Sequence, residues 1–158
     1  MAPGGKTKGT AGTPGAEAFK PPLTAEPAAA AFTPGGRGSH DNGGLSTKRE
    51  AEHPEAAYWA YLHAADPPGS RWALGTWGFE VGEAESLELP SFDDGGFDAE
   101  RPQHHATVWF PMPEELSRRE LKLLHDRLAE ELRKFALGHG CLHRPEDPLT
   151  DAASLRTS

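Results

Sequence analysis

The sequence predicts an α+β domain, a small three-stranded antiparallel meander flanked by two helices in the order α-β-β-β-α, with a long disordered N-terminal arm. Three observations carry that prediction. Apolar residues recur at helical spacing at both ends of the central region, they alternate with period two between those ends, and residues 1–45 hold almost nothing to bury. Across 158 residues only 25 are Leu, Val or Phe and none is Ile. Such a chain cannot offset the ordering cost of roughly 1–2 kcal/mol per residue along its whole length.

Residues 1–45 contain 10 Gly and 6 Pro, and their large apolar side chains are Met1, Phe19, Leu23, Phe32 and Leu45. That share of Gly and Pro exceeds the roughly 25–30% typical of low-complexity segments, so residues 1–47 read as the arm. Within it, Ala16–Pro21 and Ala29–Pro34 repeat the pattern A-x-A-F-x-P. Phe19 and Phe32 could thereby form a twofold docking motif strengthened by linkage, against the plainer reading of chance in an Ala/Pro-rich linker.

The compact domain is expected over residues 48–143. His53-Pro54-Glu55 opens a helix, because Pro is tolerated at the first helical position and Glu suits the positive N-terminal end. Tyr58, Tyr61, Leu62 and Ala65 follow at helical spacing, and Asp66-Pro67-Pro68-Gly69 ends the element. In 72–81, Ala73, Trp77, Phe79 and Val81 alternate as one face of a strand. Gly82-Glu83 suits a hairpin turn, and the alternation Ser86-Leu87-Glu88-Leu89 makes 84–90 the returning strand. The third strand runs from His104 to Met112, with Ala106, Val108, Phe110 and Met112 on one face and His105, Thr107 and Trp109 on the other.

The last helix is the best specified. Ser117-Arg118-Arg119-Glu120 is a capping box; Leu121, Leu124, Leu128, Leu132 and Phe135 form an apolar stripe; Glu130 and Lys134 make an i,i+4 pair; Gly138 or Gly140 closes the element. Residues 144–158 read as a polar C-terminal tail.

Composition excludes several function classes. A net charge of −8 argues against general nucleic-acid binding, which needs clustered Lys and Arg. No apolar run reaches the ~18–20 residues of a membrane span, and no secretory signal follows Met1. A single cysteine makes no internal disulfide, so a cytoplasmic setting is expected. No Walker loop, dinucleotide fingerprint, G-x-S-x-G or H-E-x-x-H occurs, and no cofactor is expected.

Three candidate sites follow from residue chemistry. His105 and Thr107 share a strand face, so an imidazole able to act as acid or base and a hydroxyl able to donate can converge on one phosphate oxygen. The run HATVWFPMP resembles the H-x-T strand of the two-histidine phosphoesterases, which implies action on cyclic phosphates or RNA ends. That family carries a second H-x-T strand, and no other histidine here is followed by x-Thr or x-Ser. The same strand and helix are similar in outline to plasmid mobilisation relaxases, whose metal-binding histidines share a face; adjacent His104 and His105 point to opposite faces.

His139, Cys141 and His143 offer two imidazoles and a thiol as weak zinc candidates, although zinc sites usually draw two ligand pairs from separate elements. Between Arg71 and Arg101 lie eight acids and no basic residue. A solvated face explains most such blocks, and the functional remainder is an acidic surface steering a basic partner. Phe92, Asp93, Asp94, Phe97 and Asp98 would form its aromatic-bearing loop. The leading expectation is therefore a non-enzymatic interaction or assembly protein that docks a protein partner through this loop and the Phe19/Phe32 arm. The alternative is a phosphoesterase-like enzyme built on His105 and Thr107.

Overall fold

The computed structural model describes residues 2–3, 26–36, 42–49, 53–96 and 103–157. Phe19, Phe97 and Asp98 lie outside the described residues. The fold is mixed α+β, with three antiparallel strands in one sheet. The elements in chain order are β1 (Ala2–Pro3), the 3-10 turn η1 (Ala29–Phe32), β2 (Gly44–Lys48), α1 (Pro54–His63), β3 (Thr76–Trp77), α2 (Val81–Ser86), β4 (Ser91–Asp93), β5 (His105–Trp109), α3 (Arg118–His139) and α4 (Pro148–Arg156).

β5 is the central strand, with β2 on one side and β4 on the other. Leu45 faces Val108 and Ser46 faces Thr107 across the first pair, while Phe92 faces Thr107 across the second. Successive side chains alternate between faces, so Leu45, Val108 and Phe110 turn to one side and Ser46, His105, Thr107 and Phe92 to the other. The first set joins Leu89, Ala129, Leu132 and Ala136 in the main core, with α3 as the opposing layer. Alanines at two of the buried α3 positions leave room for the sheet side chains to interdigitate.

Both predicted flanking helices form where expected. α1 starts at Pro54 and buries Tyr58 and Leu62. α3 carries the Ser117/Glu120 capping box, with reciprocal bonds of 3.1 and 3.0 Å, and stops at Gly140 with φ 80°. Its salt links are Lys122–Asp126, Arg133–Glu130 and Lys134–Glu131; the last two are i,i+3 pairs, one residue shorter than the expected Glu130–Lys134 pair.

The strands differ from the expected meander. Of residues 72–81 only Thr76–Trp77 forms a strand, and it pairs with Ala2–Pro3. The predicted hairpin turn at Gly82-Glu83 lies inside α2. There Glu83 accepts a 2.7 Å bond from the Glu80 amide, fixing a helical first turn, and Ala84 is wholly buried. Glu88 takes φ 61° and the Leu89 amide reaches back to the Ala84 carbonyl at 3.0 Å, a left-handed helix end that places Leu89 in the core. The Leu87/Leu89 alternation is thus the exit of a helix instead of a strand.

The sheet's missing strand comes from the segment expected to be arm. β2 lies at 44–48, straddling the predicted 47/48 boundary, and η1 packs on α3. Arg133 clamps that segment by donating to the Pro27 carbonyl at 2.8 Å. Phe32 is fully buried against Phe79 and the main core, so it cannot serve as a docking anchor; the second A-x-A-F-x-P copy is a packing motif. The expected C-terminal tail likewise contains α4, capped by Asp147 and tied to α1 by the Tyr58 hydroxyl donating to Asp151 at 2.8 Å. Burial, and then the Asp151 carboxylate, push the Tyr58 phenol well above its ordinary value, so it stays protonated as the donor.

Candidate functional site

The face of the sheet turned away from α3 gathers the polar side chains. The Arg49 amide bonds the His104 carbonyl and the Phe110 amide bonds the Gly43 carbonyl, which sets the alternation along β2 and β5. Ser46–Thr107 is therefore a non-hydrogen-bonded pair, the closer kind, and His105 stands diagonal to Ser46 on the same face. On the other side of β5, continuing the register past Asp93–Ala106 brings Asp94 opposite His105.

That register produces a chain of three hydrogen bonds. Ser46 Oγ lies 2.6 Å from His105 Nε2, and His105 Nδ1 lies 2.6 Å from Asp94 Oδ1. Thr107 Oγ1 donates to the other carboxylate oxygen, Oδ2, at 2.7 Å. An ionised carboxylate only accepts, so Asp94 places an imidazole proton on Nδ1, and in the neutral ring the Nε2 lone pair then faces the Ser46 hydroxyl. His105 is 5% exposed and Thr107 4%, whereas Ser46 is open to solvent. A hydroxyl on the surface is thus backed by a buried imidazole, itself held by a carboxylate: the serine, histidine, aspartate relation of a nucleophile, its base and the group orienting the base.

The predicted residues fall unevenly around this site. His105 and Thr107 do converge, on the Asp94 carboxylate. Both ring nitrogens of His105 are taken by Ser46 and Asp94, so the second imidazole of a two-histidine phosphoesterase is not its partner. Asp94, expected in a partner-facing loop, is half-buried at the inner end of the chain of bonds. Asp93 points the other way and pairs with Arg49 at 2.7 Å. Phe92 is 58% exposed on the same face as Ser46. Ser46 itself was hidden to sequence reasoning by the glycine-rich stretch before it; the alternation of Leu45 and Thr47 with Ser46 and Lys48 is the signal that marks its strand.

The zinc candidates separate. His139 pairs with Glu83 at 2.7 Å, Cys141 Sγ contacts the His143 carbonyl at 3.2 Å, and the His143 ring packs 5.2 Å from that of Tyr58. Among the described residues no three His, Cys, Asp or Glu side chains are grouped to hold a metal ion. A groove of about 760 Å³ runs between η1 and the first turns of α3, lined by Ala29, Thr33, Pro34, Arg118, Leu121 and His125 among others; none of the Ser46, His105 and Asp94 side chains lines it. Among the described residues no helix is long and apolar enough to cross a membrane.

No protein-family model, curated protein or solved structure matches the chain.

Proposed function

We propose that the chain is a hydrolase of the serine-nucleophile class, with Ser46 as nucleophile, His105 as general base and Asp94 as the residue that positions the imidazole. The observation that carries this reading is the continuous Ser46–His105–Asp94 hydrogen-bond chain, with both links at 2.6 Å. Those lengths fall within the ~2.6–3.2 Å reach that proton transfer requires.

The steps balance without a further reactant other than water. Ser46 Oγ attacks an ester carbonyl carbon while its proton passes to His105 Nε2. Collapse of the tetrahedral adduct breaks the bond to the leaving oxygen, which takes that proton, and leaves an acyl group on Ser46. Water then attacks with His105 again as base, releasing the acid and restoring the hydroxyl. The Ser46 amide, which the pairing pattern turns outward from the edge of β2, is the donor we assign to the developing oxyanion. Thr107, a reacting group in the sequence expectation, becomes a positioning residue through Asp94.

The test is covalent labelling of the full chain with a small fluorophosphonate, followed by peptide mapping. Modification at Ser46, lost in Ser46→Ala and in His105→Ala, is the expected result. A folded protein that takes no label, or takes it elsewhere, overturns the reading.

A second reading, docking of a protein with a basic surface, is supported by Phe92, an exposed aromatic on edge strand β4 beside a predominantly acidic stretch. A partner whose co-purification is lost both at high salt and on Phe92→Ser would support it. Co-purification indifferent to both would sink it.

A further inference from the structure

We infer that the ester accepted at Ser46 carries an apolar acyl group, seated on a shelf made by Trp109 and Phe92. This rests on the hydrolase reading above and names its substrate class.

The shelf follows from the sheet register. Ser46, Thr107 and Phe92 form one row across β2, β5 and β4, so Phe92 stands two strand spacings, about 10 Å, from Ser46. Gly44 and Trp109 form the adjoining row. A Cβ on Gly44 would lie 3.2 Å from Trp109 Cζ3 and 2.8 Å from Thr107 Cγ2, so the indole and the threonine methyl both lean over the bare glycine. Gly44 precedes Ser46 by two residues on the same face, which brings that apolar surface alongside the hydroxyl.

On the opposite flank of Ser46 lies the polar row of Lys48, His105 and Asp94. Ser46 thus stands on a boundary, with the base on one side and apolar surface on the other. A carbonyl at Ser46 with its acyl chain laid across the half-buried Trp109 ring toward Phe92 covers that surface. Phe92, 58% exposed, is the far end of the shelf. The acyl ester is therefore the substrate class this face fits.

The experiment compares 4-nitrophenyl acetate, butyrate, hexanoate and octanoate with the full chain, alongside the fluorophosphonate labelling of Ser46. kcat/KM should rise with chain length by up to about fourfold per methylene that leaves water, and then level off as the chain passes Phe92. Phe92→Ser, at an exposed position that the fold tolerates, should flatten the long end of the series, and Trp109→Ala the short end. Labelling at Ser46 with a flat or falling chain-length series would overturn the shelf while the nucleophile stands. Neither labelling nor turnover would overturn the hydrolase reading and the shelf with it.

Discussion

Asp94 and His105 meet at 2.6 Å across neighbouring strands, and the same carboxylate holds Thr107 at 2.7 Å through its second oxygen. One side chain therefore fixes the tautomer of the buried imidazole and the rotamer of the threonine beside it. Asp94→Asn separates these effects. An amide can donate to Nδ1, which moves the ring proton to Nε2, where it can no longer accept from Ser46. Fluorophosphonate labelling of Ser46 should slow by about 10³–10⁴-fold, with the fold retained. Asp94→Ala should in addition lose about 1–3 kcal/mol in urea denaturation, because it leaves two buried polar groups unsatisfied. Unchanged labelling in Asp94→Asn would remove Asp94 from the site.

Phe32 offers a direct check on where the folded body begins. It is wholly buried among Phe79, Leu45 and the sheet residues of the main core. Phe32→Ala should cost about 3–5 kcal/mol, as large-to-small changes of core aromatics do. Removal of residues 1–45 should leave no cooperative unfolding transition, since it takes away Phe32, Leu45 and the start of β2. A truncated chain melting like the full one would place the body after residue 45.

Both helices that flank the domain were legible from sequence: the Ser117/Glu120 box and the leucine stripe of α3, and Pro54 with Tyr58 and Leu62 in α1. The two faces of β5 were equally plain, because Val108 and Phe110 alternate with His105 and Thr107. What escaped was long-range. Whether Gly44–Lys48 is a strand depends on its partner β5, some sixty residues away, and local composition around Gly43-Gly44 argued for a turn-rich arm. Phe32 looked exposed for the same reason, since only α3 and Phe79 give it a place to bury. The alternation at Ser86–Leu89 misled because a helix exit with a left-handed Glu88 also points two leucines inward. His105 and Thr107 were visible as a pair, but Ser46 and Asp94 reach them only through strand register.

His139 and Glu83 link the end of α3 to α2 at 2.7 Å, and the link should be visible in the pH dependence of stability. The hydrogen bond that His139 donates to the Glu83 carboxylate raises its pKa above the ordinary 6.5. Its contribution is therefore complete below that unfolded value and fades as pH rises through the raised folded value. Desolvation pushes Glu83 up, but the Glu80 amide and His139 together bring it below its ordinary 4.5. Its contribution is complete above 4.5 and is lost as pH falls through the lowered folded value. The pair should thus stabilise most between the two unfolded values. At partial exposure it is worth less than about 1 kcal/mol. Comparing His139→Gln with the parent chain in urea at acidic, mid-range and alkaline pH should show a difference confined to that window, shrinking with added salt. A difference flat across pH would assign the effect to packing.

Gly69 and Gly96 form a matched pair that tests how closely α4 is docked. Both take left-handed backbone, with φ of 80° and 82°. A Cβ at Gly96 meets open space, so Gly96→Ala carries only the conformational penalty of about 1–2 kcal/mol. At Gly69 the added carbon would run into the Ala152 carbonyl oxygen and reach Leu155 Cβ at 3.0 Å, both on α4. That oxygen belongs to a helix backbone and cannot swing aside as a flexible side chain could, so α4 itself would have to shift. Ala152 is 1% exposed in the second core cluster with Tyr58, Leu62 and Ala73, and the Tyr58–Asp151 bond holds the same helix. A shift of α4 therefore loosens both. Gly69→Ala should destabilise by about 1–3 kcal/mol more than Gly96→Ala, as overpacking does. Urea denaturation of the two variants measures that gap. Equal losses would mean that α4 sits farther from the α1 exit than this packing requires.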